Sequence, residues 1–147
     1  MRFVDLAPDD PRLTADVLPV LVELRPHLTA ESLAAIYAEG HPQGLRFTAV
    51  YDEKNRCVAV AGWRQIATTV AYRKLYVDDL VTAPDQRGRG IGAALLRELE
   101  DRAGRAGCRV IDLDSGVSRA DAHRFYFRQR MSITSLHFAR RLDETPE

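Results

Sequence analysis

Along this chain the apolar residues recur first at helical spacing, then at every second position, then at helical spacing again. Arg2 to Leu6 reads as a short first strand, closed by the turn-forming run Ala7-Pro8-Asp9-Asp10-Pro11. From Arg12 to Arg25, Leu13, Val17, Val20, Leu21 and Leu24 mark one helix face, with Pro19 placed to kink or split it and Pro26 to end it. Thr29 is a good N-cap for a second helix that carries Leu33, Ile36 and Tyr37 and stops at Gly40-His41-Pro42. Arg46 to Tyr51 and Cys57 to Ile66 then read as an antiparallel hairpin about the turn at residues 52–56, and Lys74 to Thr82 pairs next. Ile91, Ala94, Leu95, Leu99 and Ala103 form the buried face of a third helix, with Glu98 four residues before Arg102 on the other face and Gly104 or Gly107 at its end. Val110 to Leu113 is a strand that a helical crossover makes parallel to its predecessor. Arg119 to Arg128 is a short helix and Thr134 to Leu142 a last strand.

The expected fold class is therefore α/β (α+β), with a mixed, mostly antiparallel sheet flanked by helices in the order β-α-α-β-β-β-α-β-α-β. No repeat, low-complexity tract or linker divides it, so residues 1–147 read as one domain. Composition narrows the function. The chain is 46% hydrophobic with a formal net charge of zero, which disfavours nucleic acid as a partner. It has no apolar run near the membrane-spanning length of about 20 residues and no secretory h-region, so a cytoplasmic location without membrane contact is expected. Cys57 and Cys108 read as two reduced thiols. His27, His41, His123 and His137 lack ligand spacing and no Cys joins them, so no metal is expected.

The chemistry concentrates in Leu75 to Leu96, LYVDDLVTAPDQRGRGIGAALL. A strand with two acids ends at a proline, and a basic, glycine-rich turn opens directly into a helix. Backbone N–H groups and the positive end of a helix dipole can hold a phosphate there. Gly88 to Ala93 fits the dinucleotide pattern G-x-G-x-x-A, with Asp112 at the distance of a ribose-binding acid. Ala83-Pro84-Asp85-Gln86-Arg87 makes the loop wider than that pattern wants, however, and no Lys-Ser or Lys-Thr follows to make a P-loop. A turn that merely starts a helix leaves unexplained the two arginines set among three glycines.

Arg87-Gly88-Arg89-Gly90-Ile91-Gly92, after its strand, resembles the R/Q-x-x-G-x-G/A signature of the GNAT superfamily of acyl-CoA-dependent N-acetyltransferases. Ala122-His123-Arg124-Phe125-Tyr126 resembles that family's later A-x-x-F-Y element, and LYVDDLV resembles the acidic strand of its polyamine-acetylating branch. The resemblance implies acetyl-CoA as donor and no metal. Arg87, Gly88, Arg89, Gly90, Ile91, Gly92 and Ala93 would grip the CoA diphosphate. Leu80, Val81 and Thr82 would lie along the pantetheine arm as an added strand, with a backbone N–H near Leu80 polarising the thioester carbonyl. Tyr126 would protonate the departing thiolate. Arg119 stands where the family often has a CoA-contacting Asn, and Arg130 where it often has a helix-ending Gly, which implies a C-cap made differently.

Acetylating an alkylamine with a pKa of about 10.4 requires a proton to be removed, at a cost of about 4–5 kcal/mol near neutral pH. By the same resemblance Asp78 would be the base, directly or through water, and Asp79 would hold a cationic substrate. Neighbours in a regular strand face opposite ways, so both contribute only if a bulge intervenes, as the family's strand has. Tyr72, just before the acidic strand, is a candidate pocket residue. The implied function is transfer of an acetyl group to a primary amine of a small cationic molecule, by an enzyme that family habit suggests is a homodimer. The alternatives are a peptide or protein N-acetyltransferase and a non-catalytic acyl-CoA-binding regulatory module.

Overall fold

The computed structural model describes residues 1–143. The expected domain runs to Glu147, and its last four positions lie outside the described residues. The chain forms two compact units that divide after Leu113.

The first unit is built on a five-stranded sheet in the order β1-β2-β3-β4-β5. These strands are β1 (Arg2–Leu6), β2 (Arg46–Tyr51), β3 (Cys57–Thr68), β4 (Tyr72–Thr82) and β5 (Val110–Leu113). The first three pairings are antiparallel and β4–β5 is parallel. The β3–β4 hairpin is longer than the periodicity suggests, because its strands continue past the apolar run to a turn at residues 69–71.

Each sheet face has its own core. Phe47, Ala49, Tyr51, Val60 and Val81 pack under the N-terminal helices with Val17, Leu21, Leu33 and Tyr37. Val50, Ala59, Ala61, Leu75 and Val77 pack under helix α3 (Ile91–Arg105) with Leu95, Leu99 and Ala103. The first helical stretch is a π-helical turn, Leu13–Val17, running into α1 (Leu18–Leu21). Pro19 falls in the first turn of α1, where its missing N–H costs nothing, so it restarts a helix rather than breaking one. Helix α2 (Ala30–Gly40) starts at Thr29, whose hydroxyl accepts from the Ser32 N–H while the Ser32 hydroxyl accepts from the Thr29 N–H. Leu33 and Tyr37 are buried, but Ile36 is 44% exposed. Helix α3 ends in the left-handed Gly107, with Cys108 N–H donating to the Ala103 carbonyl.

The second unit contains α4 (Ala120–Arg128). The expected strand from Thr134 to Leu142 is not formed: these residues have no regular secondary structure. Leu136, Phe138 and Leu142 do alternate, yet all are more than 70% exposed. An alternating pattern becomes a strand only where a ladder and a buried face receive it, and neither is present for this segment among the described residues.

Candidate active site

Strand β4 carries the irregularity on which the site depends. Gly62 of β3 pairs with Asp79, but the next residue, Trp63, pairs with Val77. Asp78 is the extra residue of a β-bulge. The bulge reverses the parity of the strand: Leu75 and Val77 enter the core beneath α3, whereas Val81 enters the core beneath the N-terminal helices. Asp78 and Asp79, neighbours in sequence, consequently line one cavity.

The two acids are held differently. Asp78 receives a fork from Arg64, with Nε and Nη2 each 3.0 Å from a separate carboxylate oxygen. Asp79 accepts from Arg25 Nε at 2.8 Å through Oδ1 alone, while Arg25 Nη2 reaches the Asp78 carbonyl at 3.2 Å. Oδ2 of Asp79 lies against Gly62. A Cβ there would stand 3.0 Å from that oxygen and 2.9 Å from the Phe47 ring, so only glycine leaves room for the carboxylate. Burial pushes the Asp79 carboxyl above its ordinary range, against the opposing pull of Arg25. Leu28, Ile36 and Phe47 supply apolar wall, and His27 lies at the same cavity.

Downstream of the acids, one edge of β4 is open. Strand β5 accompanies β4 only to the pair Val77–Leu113, whereas β3 continues to the pair Ala59–Thr82. Leu80, Val81 and Thr82 therefore have a strand on one side only among the described residues. Beyond them Pro84–Gln86 makes a 3-10 turn, anchored by the buried Gln86, whose side-chain oxygen accepts from Arg89. Arg87 is extended, and Gly88 and Gly90 adopt positive φ of 77° and 78°. No atom within 4 Å would obstruct a Cβ at either glycine, so backbone conformation, not crowding, selects glycine here. Gly90 caps α3 without any side-chain hydrogen bond. The first-turn N–H groups of α3, through Ala93, have no intrahelical acceptor and point out of an exposed, basic loop. This open cradle fits a diphosphate in character. Asp112 binds Lys74 Nζ at 2.8 Å, and the antiparallel β3–β4 pair is foreign to a doubly wound dinucleotide fold.

In the second unit, Tyr126 is half-buried on α4, and burial raises its phenol pKa while the Arg119 guanidinium pulls it down. Its proton is therefore retained at neutral pH. Arg119 is the N-cap of α4. Arg130 corrects one expectation, because the cap is made in the usual way. Arg130 itself adopts the left-handed conformation at φ 62°, and Met131 N–H donates to the Tyr126 carbonyl at 3.0 Å. His123 is occupied by the Gly116 carbonyl at 2.8 Å.

Of the other residues singled out in the sequence, Tyr72 is not brought to the acids. Six residues of strand, about 20 Å, separate it from Asp78. Its ring is 69% exposed and lies 3.9 Å beneath the Arg109 guanidinium. Nothing in the sequence motifs singles out Arg25 and Arg64 as a pair. Arg64 did carry a signal, as the one charge inside the apolar run from Cys57 to Ile66. Arg25 carried none. No helix among the described residues is long and apolar enough to cross a membrane. No group of three potential metal ligands occurs among them either.

Residues 11–131 match the Acetyltransferase (GNAT) family, a span that takes in both units. The chain is 34% identical over 113 residues to an uncharacterized N-acetyltransferase of Bacillus subtilis, covering 76% of this chain and 79% of that one. It is 36% identical over 66 residues to the aminoalkylphosphonate N-acetyltransferase of Salmonella typhimurium, a match spanning 45% of this chain and 43% of the relative. Among solved structures, the ribosomal-protein-alanine N-acetyltransferase of Brucella melitensis superposes with a TM-score of 0.80 at 16% identity, over 97% of this chain and all of the other. With a bulged acidic strand, an open edge and a glycine cradle in sequence on one sheet, this chain belongs to the GNAT family of acetyltransferases.

Proposed function

We propose that this protein transfers the acetyl group of acetyl-CoA directly to the primary amine of a small molecule that arrives as an ammonium cation. The observation that carries the reading is the bulge at Asp78, which turns two carboxylates into one cavity at the head of an open strand edge. The partial likeness to an aminoalkylphosphonate N-acetyltransferase supports a small acceptor.

Acetyl-CoA supplies the activated acyl carbon as its thioester. The cradle from Arg87 to Ala93 binds the diphosphate through backbone N–H groups, with Arg119 as a further residue for the cofactor. Leu80, Val81 and Thr82 hydrogen-bond the pantetheine arm, and the backbone N–H near Leu80 stabilises negative charge developing on the carbonyl oxygen. The base role passes from Asp78 to Asp79. Both oxygens of Asp78 already accept from Arg64, whereas Asp79 has a raised pKa and one oxygen without a hydrogen bond among the described residues. Asp79 takes one proton from the bound ammonium, which frees the lone pair for attack, and the second nitrogen proton leaves to solvent once the C–N bond has formed. Tyr126 gives its proton to sulfur as the C–S bond breaks. Asp78 fixes Arg64 and adds negative potential for the incoming ammonium. Cytoplasmic location and a homodimer complete the reading, and sedimentation equilibrium tests the latter.

The test is thiol release from acetyl-CoA over a panel of amines. Turnover with a small amine, retained CoA affinity in Tyr126→Phe and a kcat lowered about 10²–10⁴-fold are expected. CoA binding without turnover on any amine would replace the enzyme by a binding module. Turnover on peptides alone would replace the small acceptor. An unchanged kcat in Tyr126→Phe would remove the tyrosine from the mechanism.

A further inference from the structure

The acceptor cavity holds as many fixed cations as anions. Arg25 and Arg64 stand beside Asp79 and Asp78 at 2.8 and 3.0 Å, and all four residues line the cavity. Each guanidinium spends only its Nε and Nη2 groups on these partners. The Nη1 group of each makes no hydrogen bond among the described residues, so each guanidinium keeps one amino group for a ligand. The Arg25 side chain is 45% exposed and that of Arg64 25%, which leaves both reachable by a ligand, while Asp79 is 15% exposed.

A simple amine meets a difficulty here. Its ammonium, on sharing the Asp79 carboxylate with Arg25, leaves that guanidinium with only part of its counter-charge. A molecule that also carries an acidic group removes the difficulty. Its ammonium takes Asp79 while its anion takes the guanidinium groups, so charge pairs are exchanged one for one. A planar guanidinium suits a carboxylate or a phosphonate through two parallel N–H donors.

Resting on the acetyl-transfer reading above, we propose that the acceptor is a zwitterion, a small amine bearing a carboxylate or phosphonate group, with its amine at Asp79 and its anion on Arg25 and Arg64. The two arginines are then the specificity-determining residues of the site. The acid group lies within a few bonds of the amine, since Arg25 touches both aspartates and Arg64 pairs with the neighbouring Asp78.

The test compares propylamine with β-alanine and 2-aminoethylphosphonate, using thiol release for kcat/KM and calorimetry in the presence of CoA for acceptor affinity. At least one zwitterion should exceed propylamine by about 10- to 100-fold in kcat/KM. The better of the two identifies the acid group. Arg25→Gln should abolish most of that preference, lowering kcat/KM for the favoured zwitterion by at least about tenfold more than for propylamine. Arg64→Lys, which keeps the charge beside Asp78 and so protects the fold, should lower zwitterion affinity without unfolding the protein in a thermal melt. Propylamine turned over as well as both zwitterions, or equal losses for all three in Arg25→Gln, would overturn the proposal. Absence of turnover with every amine would overturn acetyl transfer itself. Calorimetry then judges the zwitterion site alone: binding of a zwitterion weakened by Arg25→Gln supports it, and no binding sinks it.

Discussion

Asp79 owes its chemistry to the residue opposite. Gly62 admits the carboxylate into a space where a Cβ would collide with it and with Phe47, and the resulting burial raises its pKa. The raised value has two consequences of opposite sign. For catalysis, Asp79 must be deprotonated, so kcat falls as pH drops through a pKa above the ordinary 3.8. For stability, a carboxyl whose pKa is higher in the folded state contributes stability that is complete below 3.8 and lost as pH rises through the folded value. At neutral pH the charge is therefore a liability to the fold. Asp79→Asn is expected to lower kcat by about 10²-fold or more while leaving the melting temperature unchanged or raised. Carbon-13 titration of the Asp79 carboxyl should give a midpoint above 3.8, and a midpoint at or below that value would refute the assignment. None of this is legible from LYVDDLV by itself. The acids were visible, but which way they faced depended on a register shift, and Arg25 and Arg64 acquire meaning only through contacts 54 and 14 residues away in sequence.

At the scale of elements, the loop and its helix were legible because their chemistry is local. Glycines at positive φ, an uncapped helix start and the Glu98–Arg102 pair at 2.9 Å all lie within a few residues of their own signals. The last strand was not, because a strand depends on an edge elsewhere, and Leu136, Phe138 and Leu142 find none among the described residues. Helix α4 shows a local rule being kept at a cost. Its end requires a left-handed residue, and the chain supplies Arg130 rather than glycine. Arg130→Gly should relieve that strain by about 0.5–1 kcal/mol, net of the greater freedom glycine gives the unfolded chain. For a chain of this size that is about 1–4 °C in melting temperature. A thermal melt showing a decrease would mean that the arginine side chain holds the cap by other means.

The whole molecule presents its site on a sheet buried from both sides. Phe47, Ala49 and Tyr51 alternate with Thr48 and Val50 across β2, and all five are at most 2% exposed. The site's rigidity comes from this double burial, since β4 is fixed against β3 along ten residue pairs. Leu95, fully buried under the α3 face, is a place to test it. Leu95→Ala should cost about 2–5 kcal/mol and lower the melting temperature, while leaving KM for the acceptor within about twofold, because Leu95 touches the face opposite the acidic cavity. A KM change matching that of the site variants would mean that the two faces are coupled.

The bulge also has a meaning in the language of insertions and deletions. Remove Asp78 and β4 becomes an unbroken ladder, with Gly62 still opposite Asp79 and Trp63 still opposite Val77. Leu80 keeps its place beside the α3 core and Val81 keeps its place in the other. Asp78 is thus a single-codon addition that no core contact registers, and through it the cavity gains a second acid and, with it, a fixed place for Arg64.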